Sequence, residues 1–126
     1  MCAWVRCCGG SKKTKPIIIS GNQCDYRHDA TLISGTDSMY FTSPQTPYIY
    51  DVDFTNKNTL TIVAKGGYGG GAWFYVTIGN DTFSFQFGST LYETITFNVS
   101  NITGIQNIKL SYSVNLRCDI SSMILN

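Results

Sequence analysis

The sequence predicts an all-β fold, an antiparallel β-sandwich of jelly-roll type, preceded by an extended N-terminal arm. Three observations predict it. After Pro47 the chain breaks into short runs in which apolar and polar residues alternate, with turn residues between them; that is the pattern of antiparallel sheets packed face to face. The composition also favours strands. Eight Tyr and seven Phe stand among many Thr and Ser, and charged residues make up only 13%, about half the usual ~25%. Aromatic and β-branched side chains suit a pleated, half-buried surface. Finally, no segment of ten or more residues spaces its apolar positions with the 3.6-residue period of a helix.

The first fifteen residues, MCAWVRCCGGSKKTK, form a separate arm. It carries Arg6, Lys12, Lys13 and Lys15 and no acid, a charge of +4, whereas residues 16–126 hold five basic and eight acidic residues, a charge of −3. Gly9-Gly10-Ser11 and the lysines after it read as a solvated connector to a single sandwich domain over 16–126.

The domain opens with Ile17-Ile18-Ile19 as a first strand, followed by two short candidates, Thr31-Leu32-Ile33 and Met39-Tyr40-Phe41-Thr42. Ser43–Pro47 contains two prolines, which exclude a central strand there. Tyr48, Tyr50, Val52 and Phe54 alternate with Ile49, Asp51 and Asp53, which predicts that the first four face the core. After the turn Thr55–Asn58, Leu60, Ile62 and Ala64 alternate with Thr61, Val63 and Lys65. Gly66–Gly71 (GGYGGG) is a glycine loop, and Ala72–Ile78 is a strand apolar on both faces. Gly79-Asn80-Asp81 is a tight-turn signal that joins it as a hairpin to the run Phe83, Phe85, Phe87. Leu91, Ile95, Phe97 and Val99 form the inward set of the next strand, and Ile108, Leu110, Tyr112 and Val114 that of the one after. The chain closes with Cys118–Leu125. The reading gives six strands after Pro47 and two or three before it.

No residue set spells out a reaction. A phosphate-binding P-loop needs Lys-Ser/Thr after its glycines and a helix beyond; here the loop Gly66–Gly71 leads into Ala72 and a strand. The plain reading of this loop is a strand connection. The binding reading makes Tyr68 and Trp73, with Tyr92, an aromatic platform for a sugar or a protein. Cys2, Cys7 (or Cys8), Cys24 and His28 offer three thiolates and an imidazole for zinc. They lack the tight C-x₂-C pair of structural zinc sites, so the plainer reading is reduced cysteines against a neighbour, and no cofactor is expected. A Cys–His28 nucleophile pair and the carboxylates Asp51, Asp53 and Glu93 are the only catalytic combinations on offer. Charges on strands that alternate with core residues are ordinarily solvent-exposed, so no enzyme is expected.

The five cysteines are an odd set, and the arm lacks the apolar core of a secretory signal, which argues against a disulfide framework and for synthesis in a cytoplasm. On that expectation the sequons at Asn80, Asn98 and Asn101 arise by chance in an Asn/Thr-rich chain. A net charge of +1 gives no general affinity for nucleic acid. No run approaches the ~18 apolar residues of a membrane-spanning helix.

Two resemblances add to this reading. TLTIVAKGGYGGGAWFYVTI, LYETITFNV and NLRCDISSMIL, within Leu60–Leu125 and its first flanking residue, resemble the C-terminal part of small β-sandwich carbohydrate-binding modules, particularly the calcium-dependent xylan-binding type. The resemblance implies a Ca²⁺ held by several carboxylates and backbone oxygens. Here Asp119 is the one carboxylate in place, since Asn115, Leu116, Arg117 and Cys118 supply none. The opening Ala3-Trp4-Val5-Arg6-Cys7-Cys8-Gly9-Gly10-Ser11-Lys12 resembles that of short structural proteins of tailed bacteriophages. That resemblance implies a virion decoration, head-fibre or tail-associated protein, made in the host cytoplasm and repeated in the particle. Trp4, Val5, Arg6, Cys7 and Cys8 would dock the arm, with Trp4 as the aromatic anchor and Lys12, Lys13 and Lys15 meeting an acidic surface of the partner. The leading expectation is therefore a non-enzymatic structural or adhesive component of an assembly. The alternative is a carbohydrate-binding module using Tyr68, Trp73 and Tyr92.

Overall fold

A computed structural model describes residues 17–19, 31–32, 39–68 and 70–126. The arm, with Trp4 to Lys15, and the zinc candidates Cys2, Cys7, Cys24 and His28 lie outside the described residues.

Among the described residues ten strands run in the order β1 (Ile17–Ile19), β2 (Thr31–Leu32), β3 (Met39–Thr42), β4 (Tyr48–Asp53), β5 (Thr59–Gly66), β6 (Trp73–Ile78), β7 (Asp81–Gln86), β8 (Glu93–Asn98), β9 (Ile105–Tyr112) and β10 (Arg117–Leu125). They form two sheets in which every pairing is antiparallel. The larger has the order β2-β3-β10-β5-β8, with β1 continuing the β3 side of β10; the smaller has the order β4-β9-β6-β7. From β3 onward the chain changes sheet at every connection except the β6–β7 hairpin. That alternation is the sandwich expected from the sequence.

The core lies between the sheets. Met39, Phe41, Leu60, Ile62, Ala64, Ile95 and Ile120 come from the larger sheet, and Ile49, Phe54, Phe74, Val76, Ile108 and Leu110 from the smaller; all are buried. The alternation in β5, β6, β8 and β9 falls on the core as the period-2 pattern requires. Phe83 on edge strand β7 meets Phe97 on edge strand β8 with ring centroids 5.3 Å apart, which closes one side of the sandwich.

The structure departs from the sequence reading at three places. In β4 the register shifts between Ile49 and Val52, and Asp51 adopts φ 59°. This bulge turns Ile49 inward and leaves Tyr50 exposed, so Tyr48 and Tyr50 stack on each other 5.6 Å apart rather than joining the core. Leu91 was expected inside but is 73% exposed, because β8 starts only at Glu93. The closing segment is a seventh strand after Pro47, and it is the centre of the larger sheet, with β5 on one side and β3 and β1 on the other. It too is bulged, between Ile120 and Ser122, which moves its inward positions from Cys118 and Ile120 to Met123 and Leu125.

Candidate functional site

Strand polarity places the loops 43–47, 67–72, 87–92 and 113–116 at one end of the sandwich. Five large apolar or aromatic side chains are exposed there: Tyr68, Trp73, Leu91, Tyr92 and Leu116. Singly exposed apolar residues are unremarkable, and none of these five lines the polar concavity that opens at this end.

The concavity lies where the larger sheet meets this end. Cross-strand register sets Tyr40 of β3 opposite Asp119 of β10, and Asp119 opposite Lys65 of β5. Tyr92, just before β8, extends the row: the Lys65 ammonium lies 4.8 Å from its ring centroid. The row therefore runs Tyr40, Asp119, Lys65, Tyr92 over about 14 Å, three strand spacings. Arg117 stands one position nearer the loops on the same face as Asp119. Its Nε donates to Asp119 Oδ1 at 2.8 Å and its Nη2 to Oδ2 at 3.1 Å, while the guanidinium sits 4.0 Å from the Tyr40 centroid. Bidentate pairing with a carboxylate and stacking on a ring both exploit the planar fork. The Asp119 hydrogen bonds raise the proton affinity of Arg117 further, so it is always charged.

Between these side chains opens a cleft of about 300 Å³ lined by Lys65, Gly66, Gly67, Thr90, Arg117 and Asp119. Its floor depends on glycine. A Cβ at Gly66 would overlap the hydroxyl of buried Tyr112 and stand 3.0 Å from Phe87. Gly67 donates its N–H to the Arg117 carbonyl at 2.9 Å, extending the β5–β10 pairing to the cleft. Tyr112 in turn accepts the Tyr68 N–H at 3.3 Å, which ties the glycine loop to the core. The β7–β8 loop is held by Glu93, whose Oε2 accepts the N–H groups of Gly88 and Ser89 at 2.9 and 3.2 Å.

The three aromatic residues expected to form one platform come from different elements of this end. Tyr92 flanks the cleft on the larger sheet. Trp73, 38% exposed, is on the outer face of the smaller sheet, stacked on Tyr75 at 6.5 Å. Tyr68 is on the loop that connects the two sheets. Tyr40, Lys65 and Arg117 are the residues that sequence reasoning missed. The signal for Arg117 was present in Arg117-x-Asp119, opposite charges two apart and hence on one face of a strand.

The carboxylates Asp51, Asp53 and Glu93 do not come together, and the Cys–His28 combination lies outside the described residues. Asp51 lies in the β4 bulge, Asp53 accepts the Thr55 N–H at the far end, and Glu93 is spent on its loop. The backbone hydrogen bond from Thr55, followed by its hydroxyl, holds the Asp53 carboxyl below its ordinary range. Cys118 is fully buried, and burial pushes its thiol well up. Asp119, the carboxylate implied for calcium, has both oxygens engaged by Arg117. Among the described residues no three acidic, Cys or His side chains converge on a metal position. A calcium ion takes six to eight oxygens, and two cations flank this carboxylate, so the residues present do not fit that ion. A second cleft of about 250 Å³, at the opposite end, is lined by Asn80, Asp81, Asn101, Thr103 and Gln106 with one carboxylate and no aromatic ring.

No protein-family model matches the chain, and no curated protein matches it. Solved structures do match. The carbohydrate-binding module CBM35 from Cellvibrio japonicus Abf62 superposes with a TM-score of 0.69 at 15% identity, over 89% of this chain and 93% of that one. The module CBM36, solved in complex with calcium and xylotriose, gives 0.61 at 15% identity over 86% and 97%. The insecticidal crystal protein CRY2AA gives 0.66 at 12% identity, over 92% of this chain but only 22% of that one. At these identities the likeness establishes the fold, a β-sandwich shared with carbohydrate-binding modules, and function must be argued from the site.

Proposed function

We propose that this chain is a non-catalytic carbohydrate-binding domain whose ligand lies along the row Tyr40, Asp119, Lys65, Tyr92. The observation that carries this reading is the cleft itself: it is lined by the hydrogen-bonding charges Lys65, Arg117 and Asp119, and Tyr40 and Tyr92 stand beside its two cations on the same sheet face. A sugar ring offers hydroxyls to the charged groups and C–H groups to the exposed part of the Tyr92 ring that Lys65 leaves uncovered. The shared fold with carbohydrate-binding modules supports it. The reading as a docked virion component rests on the arm sequence alone. The arm is outside the described residues, and none of the proteins named above is a virion protein.

Affinity electrophoresis in gels cast with plant and microbial polysaccharides tests the reading. Retardation by at least one polysaccharide, lost in Tyr92→Ala and Arg117→Ala and kept in Trp73→Ala, is the expected result. Retardation that needs Trp73 and not Tyr92 would move the site to the smaller sheet and refute this assignment.

A further inference from the structure

The hydrogen-bonding inventory of the cleft is unbalanced. A guanidinium carries five N–H donors and an ammonium three. Arg117 uses two on Asp119, and among the described residues its side chain donates to no other acceptor, so three donors remain. Lys65 stands over Tyr92 and, among the described residues, meets no carboxylate within ion-pair distance. On the acceptor side, each Asp119 oxygen already takes a hydrogen bond, and Asp119 is 6% exposed. Glu93, the other nearby acid among the described residues, pairs in register with Ala64 and so faces the opposite side of the sheet from Lys65, where it caps Gly88 and Ser89. The Arg117–Asp119 pair is neutral as a unit. Among the described residues the open cleft therefore presents one positive charge with no paired carboxylate and an excess of donors.

We infer that the cleft takes a glycan unit bearing a carboxylate, a uronic acid, and that Lys65 and Arg117 hold it without a metal ion. A carboxylate is acceptor-only and carries a single negative charge, which matches both surpluses. Its planar pair of oxygens also fits the free edge of a guanidinium already oriented by Asp119 and Tyr40. Lys65 and Arg117 supply the positive charge that a bound cation would otherwise bring, and they repel one. The inference deepens the carbohydrate reading and rests on it.

The test compares matched probes on the full chain by isothermal titration at low salt: polygalacturonate against its methyl ester, glucuronoxylan against unsubstituted xylan, and dextran sulfate against dextran. The acidic member of a uronate pair binds about fivefold tighter or more than its neutral counterpart. Lys65→Gln abolishes that preference with an unchanged thermal melt, Lys65→Arg retains it, and EDTA leaves it unaltered. Equal binding of ester and acid, an unaffected Lys65→Gln variant, or loss of binding in EDTA would each overturn the inference while the carbohydrate reading stands. Preference for the sulfated probe alone would overturn the carboxylate assignment. Failure to bind any of the polysaccharides, neutral or acidic, would remove both.

Discussion

Asp119 is the residue whose partner matters most for stability. It is 6% exposed, and both its oxygens depend on Arg117, whose own side chain is 50% exposed. Arg117→Met keeps an apolar stem over Tyr40 but leaves the carboxylate with no ion-pair partner. Removing one partner of a fully buried pair costs about 3–5 kcal/mol. Half-exposure of the guanidinium screens the interaction, so the expected cost falls to about 2 kcal/mol. In a domain of this size that lowers Tm by roughly 5–10 °C. Asp119→Asn keeps an acceptor for Arg117 and costs about 1 kcal/mol. The double variant costs less than the sum by about 1 kcal/mol, because the second change removes the charge that the first stranded. Urea unfolding followed by far-UV circular dichroism, with unchanged slopes, measures all three. Costs that add to within about 0.5 kcal/mol would show that Asp119 gains nothing from Arg117. The ion pair would then be a surface contact and not the frame of the cleft.

Other perturbations probe the floor, the core and the bulge. Gly66→Ala places a methyl on the Tyr112 hydroxyl and 2.8 Å from its Cζ, and overpacking of this kind costs about 1–3 kcal/mol. Adding Tyr112→Phe removes the clashing oxygen and recovers part of the loss in urea unfolding; no recovery would mean that the strain lies elsewhere. Burial pushes the Cys118 thiol up, so it stays protonated in the folded protein while the unfolded thiol ionises near pH 8.5. Its contribution to stability is full below that pH and declines above it, by up to about 1.4 kcal/mol per unit. Cys118→Ala should flatten that limb of the stability curve relative to the parent, and peptide mapping should find Cys118 unlabelled by thiol reagents until denaturant is added. Asp51 holds φ 59°, so Asp51→Gly keeps or slightly raises Tm, whereas Asp51→Val lowers stability by about 1–2 kcal/mol.

The strands were legible because each is a short period-2 run ended by turn residues, and that information is local. The errors came where the period breaks. Alternation from Tyr48 through Phe54 reads as unbroken, yet one residue in the left-handed region inverts half of it. Asp tolerates that conformation better than most side chains, so Asp51 was a weak sign, and nothing in its neighbours marked it further. Leu91 looked like a core residue because Ile95 follows at even spacing, but only pairing with β5 decides where β8 begins. The site was half legible. Tyr92 and the glycine loop stood out by composition, whereas Tyr40, Lys65 and Asp119 meet only through registers that join β3, β10 and β5 across some eighty residues of chain. No local pattern carries that information.

The same registers explain where change at this site is tolerated. Arg117 and Asp119 stand on β10 and Lys65 on β5, strands paired on both sides, so their backbones are fixed by ladders that the whole larger sheet shares. Thr90 and Tyr92 instead belong to a loop held chiefly by Glu93 and by the contact of Ser89 Oγ with the Leu91 N–H at 3.1 Å. A ligand that needs room can move the loop at little cost, but it cannot move the ion pair without opening the centre of the sheet. Substitutions at Thr90, Leu91 and Tyr92 should therefore alter which glycan is bound and leave Tm within a few degrees of the parent. Substitutions at Arg117 and Asp119 should lower affinity and stability together. If loop variants lost stability as much as β10 variants, the rigid half of the cleft would be misassigned, and the loop rather than the ion pair would be what sets its shape.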